Sequence, residues 1–259
     1  MHRTPCALLL AASLAALAGL LGPAAGADEP RDAAAPPDVP ALVAGLASPD
    51  REQRQAAAEA AREVAHPDVL PALLKAAKDE YRSVREPVWK ALATRAATPE
   101  KAKAARALEA RLRELDRKPD SPEELSIVVQ ALHDLAQRSS IEPLLEGIEP
   151  TTEAPVALAR LKAVGNVPAR EAIDALINYA SRGRGGDTHR GAARQALTYA
   201  TGLKLANLDA WLRWWNDARR TWDPEEAAAD RAEQAAKAGD REATRDARRK
   251  AASGTKPKG

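Results

Sequence analysis

Apolar residues along this chain recur at spacings of three and four, and the stretches that carry them come in pairs. Read that way, the sequence predicts helices over 38–47 and 50–65, 68–79 and 83–96, 99–116 and 122–138, 141–148 and 153–165, and 168–181 and 188–201, with a single helix over 208–220 after the last pair. A period near 3.6 puts the apolar side chains on one face of a helix. Strict alternation, the mark of a half-buried strand, never persists beyond about four residues, so the expected fold is all-α.

Polar residues punctuate the same elements. Ser83-Val84-Arg85-Glu86 and Ser121-Pro122-Glu123-Glu124 have the spacing of a capping box, and Ser139 to Glu142 and Asp223-Pro224-Glu225-Glu226 follow the same logic. In each, a side-chain oxygen can accept from an orphan N–H, and an acid suits the positive end of the helix. Ser48-Pro49 and Thr98-Pro99 are simpler versions. Pro87 reads as a breaker unless Ser83 is the cap. It then falls at the fourth helical position, where no earlier carbonyl needs its N–H.

The pairs also repeat. Asp38-Val39-Pro40-Ala41-Leu42 returns as Asp68-Val69-Leu70-Pro71-Ala72-Leu73, with weaker echoes at Ile141-Glu142-Pro143-Leu144-Leu145 and Ile173-Asp174-Ala175-Leu176. Pro40 to Pro71 is 31 residues, Pro71 to Pro143 is 72, and Pro143 to Asp174 is 31. One hairpin cannot bury its apolar face alone, so a repeated hairpin stacks on its neighbours and grows lengthwise.

The stretch His66-Pro67-Asp68-Val69-Leu70-Pro71-Ala72-Leu73-Leu74, followed by Ser83-Val84-Arg85-Glu86-Pro87-Val88-Trp89-Lys90-Ala91-Leu92, resembles the HEAT-repeat proteins: a first helix with its proline, then Val-Arg and Ala-Leu in the second. The resemblance covers roughly 38–222. It is good in the first two repeats and the fifth and poor in the third, where no proline marks the first helix. The period is nearer the short form known from phycobilin lyase-like repeats than the ~40–47 residues of long HEAT repeats. The resemblance implies a right-handed α-solenoid of about five antiparallel helix pairs, with the second helices on the concave side. Trp211, Trp214 and Trp215 share a face of the last helix, with Trp222 just beyond. Such a Trp-rich helix suits the capping of an open end, with a ligand-binding aromatic patch as the alternative reading.

The first residues read as an export signal. His2 and Arg3 precede an uncharged apolar run from Ala7 to Leu21, Gly22-Pro23 breaks it, and Ala25-Gly26-Ala27 offers small residues for cleavage. The expected organisation is a signal peptide at 1–27, a linker at 28–37, the solenoid at 38–222, and a charged, Ala-rich tail at 223–259. A run of 15 residues, 7 to 21, is shorter than the roughly 20 a spanning helix needs, so the mature chain is expected to lack a transmembrane segment. The single cysteine, Cys6, leaves with the signal, and with it any disulfide or thiolate ligand.

Charge narrows the partners. Lys and Arg number 39 against 37 Asp and Glu, and loss of Arg3 brings the balance to +1. So small a net charge gives little long-range pull on nucleic acid. The tail from Asp223 to Gly259 holds no Leu, Ile, Val, Phe, Met or Trp. It is expected to form at most a solvated helix around 224–238. Its basic end, Arg241 to Lys250, suits weak contact with an anionic surface.

Candidate chemistry is sparse. His66, His133 and His189 fall in different repeats without metal-ligand spacing, so no metal or cofactor is implied. His133-Asp134 reads as an ordinary half-exposed helix position, and no nucleophile–base pair stands out. Arg182, Arg184, Gly185, Gly186 and Arg190, between the helices of the fifth pair, make a candidate anion-binding loop beside a plainer reading as a solvated connector. It is not a P-loop, because Ala192-Ala193 stand where Lys and Ser/Thr are required.

The sequence therefore points to a non-enzymatic scaffold, exported to the periplasm or cell exterior, that binds a protein partner on its concave face. Arg54, Arg62, Arg85 and Lys90 are the expected exposed contacts, with Trp89 as an anchor. The alternatives are a HEAT-like enzyme, DNA glycosylase-like or chromophore lyase-like, and a structural protein that binds a wall polymer.

Overall fold

The computed structural model of the chain describes residues 38–118, 121–183 and 186–253. The signal and linker expected at 1–37 lie outside them, as do Arg184, Gly185 and residues 254–259. Five helix pairs follow one another: α1 (Val39–Leu46) with α2 (Arg51–Ala60), α3 (Val69–Ala76) with α4 (Arg82–Ala93), α5 (Lys101–Arg117) with α6 (Pro122–Leu135), α7 (Ile141–Glu146) with α8 (Ala154–Asn166), and α9 (Arg170–Ser181) with α10 (Gly186–Thr201). Two further helices close the chain, α11 (Leu208–Ala218) and α12 (Pro224–Ser253). Short 3-10 turns extend α2 (Ala61–Glu63) and α4 (Thr94–Ala97), and another (Arg138–Ser140) leads into α7. No strand occurs among the described residues.

Each pair is a hairpin whose second helix packs on the second helix of the next pair, from α2 through α4, α6 and α8 to α10. The row of first helices, α1, α3, α5 and α7, is looser. A stack that is tighter along one row curves toward it, so the second helices line the inner face. Between the rows runs one continuous apolar cluster, from Leu46 to Trp215. The architecture is an α-solenoid.

The core is filled largely by alanine, valine and leucine, and small residues let the rows approach closely. A Cβ on Gly165 of α8 would sit 3.0 Å from the Ala196 carbonyl oxygen and 3.3 Å from Ala200 Cβ on α10. Glycine is what this crossing fits. Gly147 answers a different need: a Cβ there would collide with the buried ion pair between Arg160 and Asp116.

Aspartates and an asparagine cap the helices more than serines do. Asp38 Oδ1 accepts from Ala41 N at 3.1 Å, Asp50 Oδ1 from Glu52 N at 2.7 Å, Asn207 Oδ1 from Ala210 N at 2.9 Å and Asp223 Oδ1 from Glu225 N at 2.8 Å. The serine caps expected at three other starts do not form. α4 begins at Arg82, so Ser83 lies inside it and Glu86 pairs with Arg82 instead. Pro87 consequently falls at the sixth position, and the Ser83 carbonyl loses its usual partner. Ser121 does stand at the N-cap of α6, but its hydroxyl makes no capping bond, and Glu124 turns inward. Ser139 and Ser140 donate to the buried Glu109 carboxylate of α5, each at 2.7 Å.

α11 closes the outer row against α9. Trp211 and Trp215 are buried there, and the Trp215 indole N–H donates to Asp174 Oδ1 at 2.7 Å. Trp211, Trp214, Trp215 and Trp222 run ring to ring at 5.5–5.7 Å. α12 continues well past the expected 224–238. Its anchor is Arg231, which donates to the Ala200 carbonyl at 2.5 Å and lies 5.5 Å over the Tyr199 ring. A guanidinium at the carbonyl-rich end of α10 meets the negative pole of that helix.

Candidate functional site

Three of the five residues expected on the partner surface are turned inward. Arg54 of α2 donates to the Ser48 and Pro49 carbonyls at 3.0 Å and to Asp79 Oδ2 at 2.6 Å. Arg85 of α4 does the same one repeat on, donating to the Asp79 and Glu80 carbonyls at 2.9 Å and to Glu124 Oε2 at 2.9 Å. Each arginine thus ties down the turn of its own hairpin and holds an acid of the next. Trp89 is 2% exposed, and its indole N–H donates to Glu124 Oε1 at 2.9 Å. These three residues are corrected from exposed contacts to ties within the stack: each arginine is held by carbonyls of its own turn and by an acid of the next repeat, and Trp89 by Glu124. The signal was present in the sequence: Arg54 and Arg85 stand 31 residues apart, in step with Pro40 and Pro71.

Glu124 is the hub of this network. It is fully buried and also accepts from Arg111 Nε at 3.0 Å. Burial alone would raise its pKa, but the hydrogen bonds from Arg85, Arg111 and Trp89 outweigh that cost and hold it at about 2.

Arg62 and Lys90 do reach solvent, and both line the same hollow on the inner face. This hollow, about 440 Å³, runs between the 3-10 turn after α2, α4 and α6. A second, about 460 Å³, lies between α6, α8 and α10 and includes His133, Leu158, Lys162 and Tyr199. The two flank α6 and meet at its exposed Ser126 and Gln130, so the groove they make along the inner face crosses over α6 and touches four second helices. Its floor is apolar, with Ile127 and Ala131 in the first hollow and Val129, Pro155 and Leu158 in the second.

The polar groups in the second hollow are linked. His133 Nδ1 lies 3.0 Å from Asp134 Oδ1, and Nε2 lies 3.1 Å from the Tyr199 hydroxyl. Tyr199 donates to Asn166 Oδ1 at 3.1 Å, and Asn166 Nδ2 donates to the His133 carbonyl at 2.8 Å. These bonds pin α6, α8 and α10 together. His66 and His189 lie elsewhere; His189 is buried, with Nε2 2.9 Å from the Thr152 carbonyl.

In the candidate anion loop, Arg182 ends α9 and is exposed, Gly186 opens α10 with φ +70°, and Arg190 pairs with Asp187. The hydrogen bond from Arg190 holds the Asp187 carboxyl below its usual range. An incoming anion would compete with that carboxylate for Arg190.

The stacked hairpins and the groove on the second-helix side define a helical-repeat solenoid. Within that class, residues 39–119 match the family described as HEAT repeats. No curated protein matches the chain. Among solved structures, the chain is similar to an engineered protein determined by structural genomics, at 19% identity over 74% of this chain and 95% of that one, with a TM-score of 0.42. It is also similar to computationally designed armadillo repeat proteins for modular peptide recognition, at 18% identity over 75% of this chain and 99% of that one, again with a TM-score of 0.42.

Proposed function

We propose that the chain is a non-enzymatic scaffold that is exported by cleavage near Ala27 and holds a protein partner in the inner groove of its solenoid. The observation that carries this reading is the groove itself: a polar-rimmed, apolar-floored channel spanning four second helices, with Lys90 and Arg62 open to solvent. Concave, mostly apolar surfaces with a few placed polar groups are the usual geometry of recognition. Among the described residues no helix is both long and apolar enough to cross a membrane.

The test is affinity capture from cell-envelope extract, comparing the full chain with a Lys90→Glu variant of matched thermal stability. A specific protein retained by the first and depleted at least severalfold on the second is the expected result. Equal recovery on both would remove the groove from consideration. Terminal sequencing of the exported protein is expected to begin at Asp28.

A further inference from the structure

We propose that the groove takes an acidic, extended peptide segment, with its carboxylates on Arg62, Lys90 and Lys162 and its apolar side chains on the floor between α4 and α8. This rests on the partner-binding reading above and gives the partner a chemistry. Arg62, Lys90 and Lys162 are exposed, and none takes part in an ion pair among the described residues. That sets them apart from Arg54, Arg82, Arg85 and Arg111, which all hold acids. The one carboxylate lining the groove, Asp134, is already engaged: it accepts from Gln130 at 2.8 Å and lies against His133. The groove thus presents three cations against one carboxylate, a balance of +2 around an apolar floor, which is complementary to carboxylates interspersed with apolar side chains.

The spacing suits a peptide. Packed helices lie about 8–10 Å apart, so α4 to α8 spans about 16–20 Å. An extended chain covers that distance in about five or six residues, and reaching Arg62 as well takes about nine. Ser126 and Gln130, shared by both hollows, place a hydroxyl and an amide beside the path of its backbone. Nucleic acid is the poorer fit. Three cations neutralise few phosphates, and the Tyr199 ring in the second hollow already has the Arg231 guanidinium over it.

The experiment pans a random nine-residue peptide library on the full chain and, in parallel, on a Lys90→Glu/Lys162→Glu double variant, with Lys90→Gln/Lys162→Gln as the milder control. Both positions are exposed, so circular dichroism and thermal unfolding should match the parent. The parent is expected to enrich sequences rich in Asp and Glu. A labelled peptide of the winning sequence should bind the charge-reversed variant at least tenfold more weakly and lose affinity as salt rises from about 50 to about 500 mM. Enrichment of neutral or basic sequences that the double variant loses would overturn the acidic chemistry and leave the groove standing as a binding face. Enrichment indifferent to the variant, or none, would overturn both. Equal, variant-sensitive affinity for a nine-nucleotide single-stranded DNA would reassign the groove to phosphate.

Discussion

At the scale of single residues, the informative side chains are charged groups that the fold has taken out of solvent. Glu124 has no exposure and shares itself among two guanidiniums and an indole. Removing one member of such a cluster strands the others, which typically costs about 3–5 kcal/mol for a buried pair. Glu124→Gln keeps the shape and removes the charge, so a loss of about 2–4 kcal/mol in urea unfolding at neutral pH is expected. The direction of the pH dependence follows from a folded pKa of about 2, below the ordinary 4.5. Above about pH 4.5 the carboxylate is charged in both states, and its stabilising contribution is complete. As pH falls through that range the unfolded chain takes up the proton first. The contribution is lost progressively and is gone near pH 2. Urea midpoints between pH 6 and pH 2.5 should therefore converge for the parent and Glu124→Gln, and parallel curves would remove Glu124 from this role.

At the scale of elements, the sequence made most helices legible to within a few residues, because proline, aspartate and an interrupted apolar period mark the ends of a hairpin locally. Their partners were less legible. Ser83 and Ser121 have capping-box spacing, yet Glu86 turns to Arg82 and Glu124 to donors 39 and 13 residues away in sequence. A local motif cannot register competitors that arrive only when repeats stack. The groove was half legible: Arg62 and Lys90 stayed at the surface, while Arg54 and Arg85 turned to carbonyls just before their own helices and to acids of the next repeat. Lys162 and Tyr199 carried no local signal, since only the close approach of α8 and α10 brings them to one hollow. The Trp-rich helix was read as a cap, and its packing gives that role a measure. Trp211 is fully buried and its indole N–H finds no acceptor among the described residues, so shape and area dominate its contribution. Trp211→Ala is expected to destabilise by about 3–5 kcal/mol in chemical denaturation. The half-buried Trp214, changed in the same way, should cost less than half as much.

At the scale of the whole molecule, a stack of hairpins has no single centre, and each repeat leans on its neighbours. Stability should then be graded along the chain. Amides of α6 and α8, flanked on both sides, are expected to be the slowest in hydrogen exchange. Amides of α12 beyond Arg231, whose described side chains are exposed, should exchange at close to the rate of an isolated helix. Uniform protection from α1 to α12 would contradict a linear assembly.

The Tyr199 ring has two tenants. Its hydroxyl edge forms part of the hollow beside His133, and its face seats the guanidinium of Arg231. Whatever fills that hollow is thereby a neighbour, one ring removed, of the fastening that keeps the C-terminal helix in place. Any influence the occupant has on that fastening returns to it in equal measure, so the grip on one and the seating of the other would tighten or loosen by the same factor.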